Sequence, residues 1–218
     1  MILNKVAVDR KRDDKVILNK VAVDRKRDEK LIINRVAVDQ FSETLQKARN
    51  DPSKTKKVIE FEGNWEIGKT GPQFSTKIKT EKGGEFLIQS DEPIALGGSG
   101  TAPNPVQYGL YGIASCFAAS LAKWTAMEGI VLNQLKIKVR ADMDLSASFG
   151  IFQEPAIPIY ECIKFEIVID SGMSMEEIKR FNEIAKQRCP CYYCLTAAIV
   201  PDIVFKKGDQ NHKQVSFL

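Results

Sequence analysis

The chain has 218 residues, of which 44% are hydrophobic and 28% charged, and its formal net charge is +4. That much apolar material builds one core of ordinary size and excludes disorder throughout. Residues 1–30 hold ten Lys or Arg against six Asp or Glu, which leaves 22 of each sign in residues 31–218, so the globular part has no basic excess and no nucleic-acid partner is expected.

The first residues, Met1 to Arg10, run into charges before a secretory apolar stretch can form. Residues 94–122 carry no charged side chain, yet they include Gly97, Gly98, Gly100, Asn104 and Gln107, and a buried soluble helix is expected there rather than a membrane span. Five cysteines, an odd number in a chain of this size, fit reduced or catalytic thiols better than a disulfide framework. The expected setting is cytoplasmic.

Met1–Lys15 and Val16–Lys30 are copies that differ at two positions, Met1/Val16 and Asp14/Glu29. A third, partial copy, Leu31 to Gln40, continues into an amphipathic segment, Phe41 to Arg49. Two full copies of fifteen residues are too few and too short for a solenoid. Residues 1–30 are therefore read as a duplicated N-terminal extension and residues 31–218 as the domain.

After the break at Asn50-Asp-Pro-Ser, three strands are expected, Val58–Trp65, Gln73–Lys79 and Glu85–Gln89, joined by Gly-rich turns into an antiparallel meander. The Gly- and Pro-rich loop Gly97–Pro105 lacks the Gly-Lys-Ser/Thr ending of a phosphate cradle. Asn104 then has the marks of a helix cap, with Pro105 at the first helical position and Gln107 at the reciprocal one. The helix is expected to reach Glu128 and stop at Gly129.

Two strands follow, Val131–Leu145 and Tyr160–Asp170, whose apolar residues alternate, with a loop over Ser146–Pro158 between them. Ser174 and Glu177 have capping-box spacing and open a second helix that ends near Arg188. Pro190 fits the first turn of a third, short helix with Cys189 at its cap, and Ile203–Lys206 reads as a last strand. The order of elements implies an α+β domain with helices packed on antiparallel sheet.

Cys116 lies in the small, apolar run Gly109–Ala122. On that helix alone, a buried cysteine acting as a small hydrophobe is the simpler reading. Cys189 shifts the balance, because a thiol at a helix cap meets unpaired N–H groups that favour thiolate, the nucleophilic form. On a helix starting at Pro190, Cys191 points about a hundred degrees away from the cap direction, which favours Cys189 over its neighbours. Cys189-Pro-Cys-Tyr-Tyr-Cys194 also invites a metal reading, but a closed zinc site takes four ligands and the single histidine, His212, is in a polar tail. No metal is expected. Cys191-Tyr-Tyr-Cys194 has thioredoxin-type spacing without the strand-helix-strand setting that goes with it.

Asn104-Pro-Val-Gln, then Ala114-Ser-Cys116-Phe, a long strand pair, a capped helix and Cys189-Pro190 together resemble the osmotically inducible protein C (OsmC) and organic hydroperoxide resistance (Ohr) family. The resemblance covers roughly residues 55 to 207 in order of elements. It implies the OsmC-like fold, antiparallel sheets on a long central helix in an intertwined homodimer, and a thiol peroxidase. By the same resemblance Cys116 is the peroxidatic thiol, Cys189 the resolving thiol, an organic hydroperoxide the substrate and an external dithiol the reductant, with no metal or organic cofactor. Hydroperoxide-specific members place a glutamate after the Asn-Pro and an arginine in the first hairpin. This chain has Val106 and Lys69 at those places, so support of the thiolate is expected from Lys69, Gln107 or the backbone. The alternative is a noncatalytic dimer that binds a small apolar ligand or partner in the cleft lined by the Cys116 helix.

Overall fold

The computed structural model describes residues 30–152, 159–197 and 199–207. The first two repeat copies, up to Glu29, and His212 lie outside them, as do residues 153–158 of the loop expected before Tyr160.

The third copy forms a two-residue hairpin, β1 (Ile32–Ile33) and β2 (Val36–Ala37), that runs directly into helix α1 (Val38–Asn50). The turn residues Asn34 and Arg35 both have positive φ, 51° and 62°, as a two-residue hairpin turn of the primed type requires. Asn34 is more than a turn residue. Its Nδ2 donates to Thr125 Oγ1 at 3.1 Å and to the Ile130 carbonyl at 2.9 Å, while its Oδ1 accepts from the Leu132 N–H at 2.8 Å.

The meander is present as β3 (Gly63–Trp65), β4 (Phe74–Lys79) and β5 (Glu85–Ser90), all antiparallel. The first strand is shorter than the expected Val58–Trp65. Beyond the Gly63–Thr76 pair the chain leaves the ladder, with the Thr76 hydroxyl donating to the Glu62 carbonyl at 2.6 Å in place of strand pairing. Val58 and Ile59 stay almost fully exposed. The expected last strand, Ile203–Lys206, is likewise not a strand; its Val204 and Phe205 are exposed and take no place in any of the sheets. In both places the residues have strand character but pair with no strand edge among the described residues.

Between β5 and the long helix, the loop is gathered on Asp91, a fully buried carboxylate that the sequence reading did not single out. Asp91 Oδ2 accepts from the backbone N–H and hydroxyl of Ser99 (3.2 and 3.0 Å) and of Thr101 (both 2.9 Å). Gly98 runs so close to Glu92 that a Cβ there would lie 1.9 Å from the Glu92 carbonyl oxygen. The loop therefore folds on itself around a carboxylate rather than presenting its amides outward.

Helix α2 (Pro105–Met127) has the expected cap: Asn104 accepts from the Gln107 N–H, and Gln107 Oε1 accepts from the Asn104 N–H. It stops as expected, with Gly129 in the left-handed region at φ 75°. The hairpin β6 (Leu132–Met143) and β7 (Tyr160–Ser171) packs one apolar face on α2, pairing Leu135 with Ile169 and Ile137 with Ile167. Intervening residues such as Lys138 and Glu166 pair on the other face.

Helix α3 (Met175–Arg188) has the predicted Ser174–Glu177 capping box, and α4 (Pro190–Thr196) follows after one residue. The main core joins α2 and α3 through Phe117, Leu121, Phe181 and Ala185, and it includes Cys189. A second core under the N-terminal hairpin joins Val38 to Ala126 and Met127. The result is an α+β arrangement of antiparallel sheets and a long central helix, on which the β6–β7 hairpin packs and which the meander meets at Tyr108, whose hydroxyl donates to the Gln89 carbonyl at 2.9 Å.

Candidate active site

Cys116 lies midway along α2, and Cys189 is the single residue between α3 and α4. The sequence dictates that break. Pro190 has no N–H to continue α3, so the chain leaves helical geometry at Cys189 (φ −96°, ψ 111°) and restarts. Cys189 Sγ then accepts from the Tyr192 N–H at 3.4 Å as the cap of α4.

Two ring contacts fix this corner against α2. The Arg188 guanidinium lies 3.6 Å from the centre of the Trp124 ring, and Tyr192 packs on Phe117 with ring centres 5.8 Å apart. Phe181, fully buried, fills the space between the two longer helices. Their joint effect is to hold Cys189 over Cys116: the two sulfurs are 3.5 Å apart, with the Cys189 thiol donating. Both are free thiols, Cys189 buried to 1% exposure and Cys116 half-buried.

The two thiols differ in acidity, and the order is the reverse of what the cap position alone predicts. Burial pushes the Cys116 thiol up, but hydrogen bonds from the Cys191 N–H and from the Cys189 and Cys191 thiols, with the charge of Lys123, hold it below the ordinary thiol value. Burial dominates at Cys189. Its bond from Tyr192 N–H is outweighed, because donating to Cys116 also keeps its proton in place, and the net shift is upward. Cys191 is pushed up to about 11, by burial first and then by its hydrogen bond to Cys116. Cys116 is therefore the most acidic of the three.

The structure brings Cys116 and Cys189 together, and it brings Cys191 as well. Helix direction alone does not predict this, because both the N–H and the thiol of Cys191 turn toward Cys116. Lys69 is placed elsewhere, paired with Glu66 at 2.5 Å in the exposed turn before β4. Gln107 is committed to the cap of α2, nine residues from Cys116 and thus about 13 Å along the helix axis. The cation whose charge reaches Cys116 is Lys123, two turns further along the same helix. That spacing of seven was readable in the sequence, but its value depended on knowing that Cys116 is the acidified thiol.

Among the described residues, no group of three or more His, Cys, Asp or Glu side chains is arranged to hold a metal ion. No helix among them is long and apolar enough to cross a membrane. A hollow of about 480 Å³ lies on one face of the β3–β4–β5 sheet, lined by Phe61, Trp65, Phe74, Ile78, Ile88 and Tyr108 among others.

No curated protein matches the chain. Among solved structures, it is similar to an OsmC-like protein from Mycoplasma pneumoniae, 18% identical over 65% of this chain and 89% of that one, with a TM-score of 0.48. It is also similar to an organic hydroperoxide resistance protein OsmC from Legionella pneumophila, 18% identical over 64% and 91% at a TM-score of 0.41. A third, an organic hydroperoxide resistance protein from Elizabethkingia anophelis, is 18% identical over 64% and 89% at a TM-score of 0.39. Residues 98–204 match the family of OsmC-like proteins. That span runs from the Asp91-bound loop through α4 and holds both Cys116 and Cys189; over it the chain is similar to OsmC-like proteins.

Proposed function

We propose that the protein is a thiol-dependent peroxidase that reduces organic hydroperoxides, with Cys116 as peroxidatic and Cys189 as resolving thiol. The observation that carries this reading is the 3.5 Å approach of an acidified sulfur to a buried, protonated one. Cys116 thiolate attacks the terminal oxygen of ROOH, the O–O bond breaks, and the alkoxide leaves as alcohol after taking a proton. Cys116 becomes sulfenic acid. The Cys189 sulfur then attacks the sulfenic sulfur as its proton departs, water leaves, and a disulfide forms. Closing 3.5 Å to the S–S bond of about 2.05 Å moves the sulfurs by only about 1.5 Å. An external dithiol restores both thiols. Lys123 supports the thiolate in this scheme, with Lys69 and Gln107 serving their own turn and cap.

The reading extends to a homodimer. The apolar face of the β3–β4–β5 sheet, with Trp65, Ile78 and Phe86 exposed, is the kind of surface a second copy covers. Five free thiols fit a reducing compartment and support a cytoplasmic setting. The test is consumption of cumene hydroperoxide with dithiothreitol by wild type and by Cys116→Ser. Turnover in wild type and none in the folded variant supports the proposal; equal rates overturn it.

One observation favours a second reading, that the family fold here binds an apolar ligand without chemistry: the hollow over the β3–β4–β5 sheet is large enough for a small ligand and mostly apolar. Saturable binding of a hydrophobic dye, blocked by Trp65→Ser, with no hydroperoxide consumption, is the result that selects it.

A further inference from the structure

The thiol cluster extends beyond the reacting pair, and burial falls off in one direction along it. Cys189 is closed off, Cys116 and Cys191 are half-buried, and Cys194 is exposed. Cys189 and Cys116 are in sulfur contact, and Cys191 hydrogen-bonds Cys116 through its thiol. Cys191 and Cys194 are three residues apart on α4, which puts their Cα atoms about 5 Å apart, inside the 4.4 to 6.8 Å window of a disulfide. The charge of Cys194 acts on Cys191. A disulfide between Cys116 and Cys189 would leave one sulfur that an outside dithiol cannot reach.

We propose that Cys191 and Cys194 form a relay that carries the disulfide from the Cys116–Cys189 pair to the surface, where the external dithiol reduces it. The relay rests on the peroxidase reading for the source of the oxidised pair. In its first step the Cys191 sulfur gives up its proton and attacks Cys116; the Cys116–Cys189 bond breaks, a Cys116–Cys191 bond forms, and Cys189 leaves as thiolate and takes a proton. In the second, Cys194 as thiolate attacks Cys191, and Cys116 leaves. The net change is an isomerisation in which two thiols are oxidised and two reduced, with no added oxidant. The second step suits exchange chemistry, since a low-pKa thiol leaves faster and Cys116, the acidified member, is the one that leaves there. Two of the causes that keep Cys191 protonated, its hydrogen bond to Cys116 and the charge on that sulfur, vanish once Cys116 is in a disulfide. The relay also gives the Cys-Tyr-Tyr-Cys spacing a use that a thioredoxin setting does not supply here.

The experiment reads the disulfides directly. The full chain is oxidised with one equivalent of diamide, which needs no peroxidase activity, and free thiols are then blocked. Trypsin leaves Cys189, Cys191 and Cys194 on one peptide, so chymotryptic cleavage after Tyr192 and Tyr193 separates Cys194 from the other two. The relay predicts a Cys191–Cys194 crosslink in wild type and a shift to bonds of Cys116 in Cys194→Ser. With cumene hydroperoxide and dithiothreitol, Cys194→Ser is expected to keep the first turnover and to lose about tenfold in steady-state rate, because access limits exchange. A wild type that holds only Cys116–Cys189, or a Cys194→Ser rate within about twofold of wild type, overturns the relay. Failure of wild type to consume hydroperoxide overturns the peroxidase reading instead, and the diamide map still decides the relay.

Discussion

Replacing Asn34 with alanine removes three hydrogen bonds at one stroke. The bond to Thr125 costs least, because the Thr125 hydroxyl still donates to the Leu121 carbonyl at 2.8 Å. The Ile130 carbonyl and the Leu132 N–H are different: both lie in a part-buried junction where α2 turns into β6, and each loses its Asn34 partner. A hydrogen bond contributes about 1 kcal/mol net, and a buried group left unpaired costs about 1–3 kcal/mol. Alanine must also hold φ at 51°, a left-handed conformation that costs an L-residue roughly 1–2 kcal/mol. Together these give a loss of about 3–5 kcal/mol for Asn34→Ala. Glycine loses the same bonds but not the conformational penalty, so Asn34→Gly should fall short of that loss by about 1 kcal/mol. Urea unfolding at one fixed protein concentration measures both. A loss under about 1 kcal/mol for alanine, or glycine as damaging as alanine, refutes the view that Asn34 ties the first hairpin to the end of α2 through both side chain and backbone.

Lys123→Met should raise the pH at which Cys116 becomes reactive toward iodoacetamide, since the lysine charge helps hold that thiol low; an unchanged pH profile contradicts the placement of Lys123. In wild type near neutral pH, Cys116 should alkylate before Cys191, whose thiol is pushed up to about 11; peptide mass spectrometry of a partial reaction reads the order. Asp91 is held below the usual carboxylate value, first by the Thr101 N–H, so its stabilising effect is present above about pH 4 and lost as pH falls through the lower folded value. Asp91→Asn should accordingly lower Tm most near pH 7, with the gap to wild type closing in acid; a constant gap tells against this linkage. Gly98→Ala should destabilise the same loop, because its Cβ meets backbone oxygen rather than a side chain that can move, and thermal unfolding reads that loss.

The parts of the fold that were legible in the sequence are those fixed by neighbours in the chain. Asn104, Pro105 and Gln107 announce the start of α2 because a cap needs only three residues of context, and the alternation in β6 and β7 shows which face meets α2. Pro190 likewise marks the helix break that exposes Cys189 to the cap of α4. What was not legible depends on partners far along the chain. Asn34 acts on residues 91 to 98 positions away, and nothing in a hairpin turn signals that reach. Val58 and Ile59 look like strand, yet a strand needs an edge to pair with. The acidity order of the thiols failed for a related reason. The cap amide at Cys189 is local and readable, but the donors to Cys116 come from a segment more than seventy residues later, and they decide which thiol is the more acidic.

The central claim is that Cys116 is the sulfur a hydroperoxide oxidises. Its most direct test uses the Cys189→Ser, Cys191→Ser double variant, which leaves Cys116 with no thiol in contact to resolve it. One equivalent of cumene hydroperoxide in the presence of dimedone should consume the peroxide and place the sulfenic-acid adduct on Cys116. An adduct on Cys162 or Cys194 instead, or peroxide left intact with every thiol unmodified, contradicts the claim.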